Sequence, residues 1–254
     1  MTVSLTALKQ SLHAGLTAVA QGADPALIYH PNAQFWASHP FNQVQGLEAI
    51  RHVWSQLRHA MPDIQRRDQI FVAGNSKADA RMPEDLEGRV LVASMGHYQG
   101  SFLNDLCGIP ATHGVVNLRV CEVHHLVEGK IAQSYVMLDL LDLMGQAGCW
   151  PIAPSLGAEG IWSGPATNDG VRLHTSDPSG GQMAFDTVIA MHNALGSFDG
   201  KSLDSMQHGA YWADNFVWYG PSGIGQTRGM TGFRAHHQIP FLVGYPDRKG
   251  AGHY

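Results

Sequence analysis

Residues 115–138 read VVNLRVCEVHHLVEGKIAQSYVML, two runs rich in β-branched residues joined by Glu128-Gly129, the signature of a β-hairpin. Two further runs precede it, RRDQIFVAG at 66–74 and RVLVASMGHYQGSFL at 89–103. They are separated by NSKADARMPEDLEG at 75–88 and by a Gly-Ile-Pro loop at 108–110. Helical patterns come before them and a chain of hairpin-linked strands follows, which predicts an α+β fold with an antiparallel sheet.

The turn decides which side chains share a face. A two-residue turn at Glu128-Gly129 requires positive φ at Glu128, which is unfavourable for a residue with a side chain. A type I turn over Val127-Glu128, with Gly129 in the left-handed region, suits the residues better. That three-residue loop pairs Leu126 with Lys130 and Asn117 with Asp139. It sets Asn117, Arg119, Cys121, His125, Tyr135, Met137 and Asp139 on one face. A slip of one residue exchanges His125 for His124 and brings Glu122 onto that face instead.

Outward from the strands, Leu5, Leu8, Leu12, Leu16 and Val19, with Val3 before them, form the stripe of an opening helix that ends near Gly22. Leu47, Ile50, Trp54, Leu57 and Met61 form a second, bounded by Gly46 and Pro62. Pro and Gly crowd the stretch from 148 to 181 without any sustained period, the composition of a linker, though Trp150, Ile161 and Trp162 in it call for packing. From Phe185 a helical pattern begins again, and with it a repeat. Asn32 to Pro40 resembles Asp214 to Pro221 in its Phe and Pro, Gly46-Leu-Glu-Ala-Ile-Arg51 resembles Gly229-Met-Thr-Gly-Phe-Arg234, and Met61-Pro62-Asp63 resembles Tyr245-Pro246-Asp247 after a one-residue adjustment. The expected domains are therefore 1–148, a linker at 149–181 and a partial second module at 182–254. The second module stops at Tyr254, where the long strands of the first would begin, so it is read as truncated or completed by another chain.

The 254 residues are 44% hydrophobic and 15% charged, with a net charge of −5, the profile of a soluble globular protein. Sixteen Lys and Arg against 21 Asp and Glu supply no basic field for nucleic acid. Lys9, Gln10 and His13 interrupt what would be the apolar core of a signal peptide, and no run is long enough to span a bilayer, so a cytoplasmic location is expected. Cys107, Cys121 and Cys149 lack metal or disulfide spacing and are expected to be small buried side chains in a reducing compartment.

Nucleotide-binding, serine-hydrolase and zinc-peptidase motifs are all missing from the sequence. Fifteen histidines invite a metal, but His124 and His125 point to opposite faces of a strand, and His236 and His237 lie ~100° apart on a helix. No metal and no cofactor are expected. Asp139, in the apolar run YVMLDLLDLM, is the more informative residue. Burial raises a carboxyl pKa towards the range useful for acid–base work, Arg119 on the same face lowers it, and an Asp at a strand end is also a natural helix cap. The face carrying Asp139, His125, Asn117, Arg119 and Tyr135 suits a pocket for a carbonyl compound, where a base removes a proton and donors hold the enolate oxygen. Trp36, Trp54, Trp212 and Trp218 read as core aromatics.

Gly-Leu-Glu-Ala-Ile-Arg51, Met61-Pro62-Asp63, Gly96-His-Tyr-Gln-Gly100 and the run from Val127 to Gly148 occur in an order that resembles the SnoaL-like polyketide cyclases of the nuclear transport factor 2-like superfamily. The resemblance covers residues 1–148, and Pro-Phe-Leu-Val-Gly-Tyr-Pro-Asp-Arg at 240–248 is similar to tandem members. It implies a cone of curved antiparallel sheet closed by helices, with a pocket inside and homodimerisation through the sheet. It also implies cofactor-independent ring closure by aldol condensation, with Asp139 as the general acid/base and His125 beside it. Tyr98 stands where the family motif has His, and Tyr135 where it has Trp; with Trp54 they complete the expected substrate contacts. The expected function is ring closure of a polyketide-like carbonyl compound after α-proton abstraction. The rivals are a small-molecule binding protein of the same fold, and an interaction module whose cone is filled by Trp54, Trp36 and Met137.

Overall fold

The structure, a computed structural model, describes residues 4–77, 88–174 and 178–247. Val3 and most of the segment expected to separate the first two strands, 78–87, lie outside the described residues, as does the end of the chain, 248–254. Two compact units emerge: Met1–Ser76, Leu86–Ala153 and Gly160–His174 form the first, and Lys77–Asp85, Pro154–Glu159 and Thr175–Tyr254 form the second.

In unit 1, α1 (Leu5–Ala20) is started by the Ser4 hydroxyl, which accepts from the Ala7 N–H at 3.2 Å, and buries Leu12, Leu16 and Val19. These positions lie three or four apart, one face of a helix. Helix α2 (Leu47–Ala60) buries Ile50, Val53, Trp54 and Leu57 on the same principle. Gly46 precedes it at φ 83°, in the region that favours glycine, and donates its N–H to the Ala33 carbonyl at 2.8 Å.

The strands are β1 (Tyr29–Ala37), β2 (Gln43–Gln45), β3 (Gln65–Asn75), β4 (Val90–Ser101), β5 (Val115–Val127) and β6 (Lys130–Leu138), followed by α3 (Leu140–Gln146). They form one curved sheet in the order β2-β1-β6-β5-β4-β3. The expected antiparallel sheet is corrected to a mixed one, because β1 pairs β6 in parallel, with Trp36 opposite Tyr135. Parallel neighbours need a long crossover, and here α2 and four strands intervene, so no local signal announces the pair.

The β5–β6 turn is also corrected. Val127 pairs with Lys130, and Glu128 and Gly129 both take positive φ, 50° and 79°, the two-residue turn whose twist matches that of the strands. A register shift between His125 and Leu126 then places His125 opposite Gln133. The result lies two residues from the expected register, and an even displacement leaves each side chain on its expected face.

Helices α1 and α2 cover one face of the sheet, where the Tyr98 ring meets the Trp54 ring edge-on at 5.5 Å. The Pro/Gly stretch meets the sheet in two places. Along the edge strand β3 the Phe71 N–H donates to the Gly170 carbonyl and the Arg172 N–H to the Phe71 carbonyl, each at 2.9 Å, and on the opposite face Trp162 is buried beside Arg119 and His97. The cysteines differ from expectation: Cys107 is exposed and Cys121 and Cys149 are half-buried, all three as free thiols. Trp54 is core, whereas Trp36, Trp212 and Trp218 are half-buried.

Unit 2 begins with α4 (Pro178–Leu195). Two 3-10 turns (Leu203–Met206, His208–Ala210), a short pair β7 (Val217–Trp218) and β8 (Thr227–Arg228), α5 (Gly229–Phe233), a π-helix (Arg234–Gln238) and α6 (Ile239–Gly244) follow. Its centre is aromatic, with Trp212 4.7 Å from His208 and 4.8 Å from Phe233.

Backbone hydrogen bonds in the two units correspond at one constant spacing. The turn Pro25–Leu27 matches His208–Ala210, and Ile28 N to Pro25 O (3.0 Å) matches Tyr211 N to His208 O (3.0 Å). Phe41 N to Ser38 O (3.0 Å) matches Ile224 N to Pro221 O (3.1 Å), and Gly46 N to Ala33 O matches Gly229 N to Phe216 O, both 2.8 Å. This correspondence puts Trp218 opposite Phe35, two residues from where the sequence comparison set Phe216. After Arg234 the spacing grows by one residue, so that Met61 N to Leu57 O corresponds to Tyr245 N to Phe241 O, both 2.9 Å. The π-helix holds the extra residue.

Candidate functional site

On the helix-covered face of unit 1, alternation along the strands gathers a polar cluster. Arg66 and Asp68 are two apart on β3, Ser94 and Tyr98 four apart on β4, and Glu122 and His124 two apart on β5, so each pair shares a side. A bulge between Asp68 and Ile70 brings the β3 backbone so close to Gly96 that a Cβ there would collide with the Arg67 carbonyl. Glycine at 96 is what lets the two strands meet beside the cluster.

Arg66 is the hub. Its guanidinium grips Asp68 with two nitrogens, both at 2.8 Å, lies 2.5 Å from the Glu122 carboxylate and donates to Ser94 Oγ at 2.7 Å. Glu122 also accepts from the Tyr98 hydroxyl at 2.6 Å and from Ser94 Oγ at 3.1 Å. His124 places Nδ1 2.8 Å from Ser134 Oγ and Nε2 3.5 Å from Glu122. Tyr29 lies beside Ser134 and the Trp54 indole. All these side chains are buried. The cluster reaches water through His13 on α1, whose Nε2 is 3.1 Å from Asp68 and whose side chain is 28% exposed.

Burial acts to raise the Glu122 pKa, but Arg66, His124 and Tyr98 outweigh it and hold the carboxyl well below the usual carboxylate range. Burial and the Glu122 charge push Tyr98 and Tyr29 above the phenol range, so both stay protonated. The cluster thus combines an imidazole beside a permanent carboxylate with neutral phenols. An imidazole can take a proton, a carboxylate 3.5 Å away stabilises the imidazolium, and phenol O–H groups can hold an oxyanion.

Of the residues expected from sequence, Trp54 and Tyr98 lie on this face. Asn117, Arg119, His125, Tyr135 and Asp139 lie on the other. Arg119 is buried, 2.8 Å from Asp139 and 3.6 Å from Asp142, with its guanidinium 5.1 Å over the Trp162 ring. Asp139 caps α3, accepting from the Asp142 N–H at 3.2 Å. Beside them, His97 Nε2 accepts from the Trp162 N–H at 3.1 Å; burial and then Arg119 lower its pKa to about 4, so this ring is neutral. Asn117 Oδ1 accepts from Gln99 Nε2 at 2.8 Å.

His125 is buried further along the strand, its ring 6.0 Å from Tyr135, which stacks on Trp36 at 4.8 Å. Six residues of β5 separate His125 from Arg119, about 20 Å of strand, so His125 and Asp139 do not converge on one point. The structure assembles instead Glu122 and His124, the pair that sequence reasoning reached only through a slipped register, and adds His13, Arg66, Asp68, Ser94 and Ser134, which it missed. The legible signal was Arg-x-Asp and Glu-x-His, charged residues at period two inside apolar strands.

Residues 16–134 match the family model of the SnoaL-like domain. No curated protein matches the chain. Among solved structures, a protein provisionally assigned as a SnoaL-like polyketide cyclase from Jannaschia sp. CCS1 is similar at 17% identity and a TM-score of 0.41, over 60% of this chain and 99% of its own. IdmH from Streptomyces antibioticus, provisionally a polyketide cyclase, is similar at 17% identity and 0.43, over 55% and 98%. A protein with a ketosteroid isomerase-like fold from Catenulispora acidiphila DSM 44928, in complex with trimethylamine, is similar at 13% identity and 0.36, over 54% and 92%. The SnoaL-like match spans from α1 to Ser134 of β6 and so contains Arg66, Asp68, Tyr98, Glu122 and His124; Asp139 lies five residues beyond its end. Among the described residues no group of three His, Cys, Asp or Glu is placed to hold a metal ion, and no helix is long and apolar enough to cross a membrane.

Proposed function

We propose that unit 1 is a cofactor-independent cyclase of the polyketide-cyclase kind, acting on a carbonyl compound through proton transfer at His124. The observation that carries this reading is the buried His124–Glu122 pair on the helix-covered face. In the proposed cycle the His124 imidazole removes a proton from the carbon next to a carbonyl, and Glu122 stabilises the imidazolium. The Tyr29 hydroxyl holds the enolate oxygen. The enolate carbon then bonds to a second carbonyl carbon of the same molecule, and the His124 proton passes to the alkoxide so formed. Proton count and charge return to their starting values, and neither oxidant nor cofactor enters.

The test is exchange of α-hydrogen for deuterium in a panel of aromatic β-keto esters in D2O, followed by NMR. Wild type should accelerate exchange, His124→Phe should lower the rate by ~10²–10⁴-fold, the usual contribution of a positioned proton-transfer group, and Asp139→Asn should retain it. The assignment expected from sequence makes the opposite demand. If Asp139→Asn loses exchange while His124→Phe keeps it, Asp139 is the acid/base and the interior reading falls. If the esters bind to the wild type without exchange, the protein is a small-molecule binder of this fold.

We also infer that residues 178–247 are a partial second copy of the first half of unit 1. Support comes from the corresponding turns and hydrogen bonds, and from the glycines Gly46 and Gly229, both at positive φ. Homodimerisation remains a proposal of the same standing, tested by the mass of the protein in solution.

A further inference from the structure

We propose that His13 and His124 share a single proton across the Asp68–Arg66–Glu122 chain, so that His13, at the surface, sets the protonation state of His124 in the interior. The idea rests on the reading of His124 as the proton-transfer group, and extends it to the regulation of that site.

The charges of the cluster are out of balance by one. Among the described residues, Arg66 carries the cluster's one fixed positive charge, against two carboxylates, Asp68 and Glu122, that contact it at 2.8 and 2.5 Å. Tyr98 and Tyr29, which feel the Glu122 charge, are phenols that stay neutral. Arg119 and Asp139 belong to the opposite face of β5. With both imidazoles neutral the cluster therefore holds one uncompensated negative charge in a buried setting, which is costly. One added proton removes it.

Two imidazoles are placed against the carboxylates to take that proton, and they lie at opposite ends of the chain. His13 is 3.1 Å from Asp68 and His124 is 3.5 Å from Glu122. On the outer side of His13 the charged groups are Lys9, one helical turn earlier with its amine 3.3 Å from the His174 carbonyl, and Arg172, whose charge acts on Lys9. The His13 ring rests edge-on against Phe71 at 5.0 Å, which fixes its nitrogen towards Asp68.

No proton crosses Arg66, which remains charged throughout. The coupling is electrostatic: a proton on either imidazole matches the excess carboxylate charge of the chain and so disfavours a second proton on the other. A neutral His124, able to take a proton from a substrate carbon, is therefore favoured when His13 carries the shared proton.

The test is titration of the histidine rings by NMR in the full-length protein labelled at histidine, between pH 4.5 and 8.5. In the wild type the His13 and His124 signals should titrate as a coupled pair with two-step curves. His13→Gln keeps an N–H donor for Asp68 but cannot take the proton, so the His124 midpoint should rise by about one pH unit, the scale expected for charges coupled through the protein. His13→Lys, a permanent cation at the same place, should lower it, and Asp68→Asn should lower it as well. Single-site curves in the wild type, with a His124 midpoint unmoved by both His13 variants, would overturn the proposal. Because the readout is a ring titration, it stands apart from catalysis. A midpoint that moves in a protein without α-exchange keeps the coupling and sinks the cyclase reading; α-exchange with a fixed midpoint does the reverse.

Discussion

Leu57 and Phe241 occupy corresponding places in the two units, each accepting the N–H that closes its helix at 2.9 Å, yet Leu57 is 2% exposed and Phe241 39%. Met61 and Tyr245, one turn later, are 0% and 61% exposed. The backbone of the turn–strand–strand–helix segment is thus much the same in both units, and the surroundings differ. In unit 1 the long strands lie over α2: Gly100 on β4 approaches so closely that a Cβ there would stand 3.0 Å from Met61 Cβ. Unit 2, among its described residues, has a sheet of two short strands. Hydrogen bonds within turns and helices are local and form in either setting, whereas burial needs a partner layer. The polar cluster follows the layer, since its residues on β3, β4 and β5 exist only where the long strands do.

That contrast can be broken most forcefully at the ion pairs. Arg66→Met leaves Asp68 and Glu122 buried without their counter-charge, and unit 1 should lose about 3–5 kcal/mol. Arg234→Met removes an ion pair at 2.6 Å between a half-buried guanidinium and the exposed Asp204, and unit 2 should lose less than about 1 kcal/mol. Denaturant unfolding followed by hydrogen exchange in each unit reads both values; equal losses would erase the distinction between a layered and an open unit.

A milder probe compares the two apolar positions. Leu57→Ala should cost ~2–5 kcal/mol as a core truncation. Phe241→Ala removes a larger side chain but, being more than a third exposed, should cost less than Leu57→Ala in the same measurement. The reverse order would show that Phe241 is buried in solution by something that the isolated chain does not provide.

The smallest effect sharpens the similarity rather than the difference. Gly46→Ala and Gly229→Ala each force a side chain into positive φ, 83° and 63°, and should each lower the melting transition of their own unit by an amount worth about 1 kcal/mol. Matched losses would support a shared backbone design, and a loss at Gly46 alone would count against the second copy.

Sequence periodicity found what local rules control. Both stripes of unit 1 became helices because spacing of three or four fixes a face within one element, and Gly46 and Pro62 ended the second where expected. The face shared by Arg119, Cys121, His125, Tyr135 and Met137 was also legible, even though the turn was misjudged, because the register moved by an even number. What the pattern could not supply was which face the helices would cover. That depends on α1 and α2 packing across β4 and β5, and a strand such as β5, with buried residues on both sides, gives no polar side to mark the outside. Asp139 drew attention because it interrupts an apolar run; the structure uses that position to cap α3 and pair Arg119. β1 went unread because Pro31 and Asn32 weaken its strand signal and its parallel partner lies about a hundred residues away.

The π-helix at Arg234–Gln238 has a consequence for how this chain tolerates change in length. An added residue in a regular helix swings everything after it by about 100°, which would carry Phe241 and Tyr245 away from the side that Leu57 and Met61 occupy in unit 1. A widened turn absorbs the residue in place, so the helix resumes in phase. The same argument runs in reverse: with one residue deleted between 234 and 238 the widened turn closes to a regular one, and the aromatic side, from His237 stacked on Trp218 at 3.8 Å to Tyr245, keeps its heading.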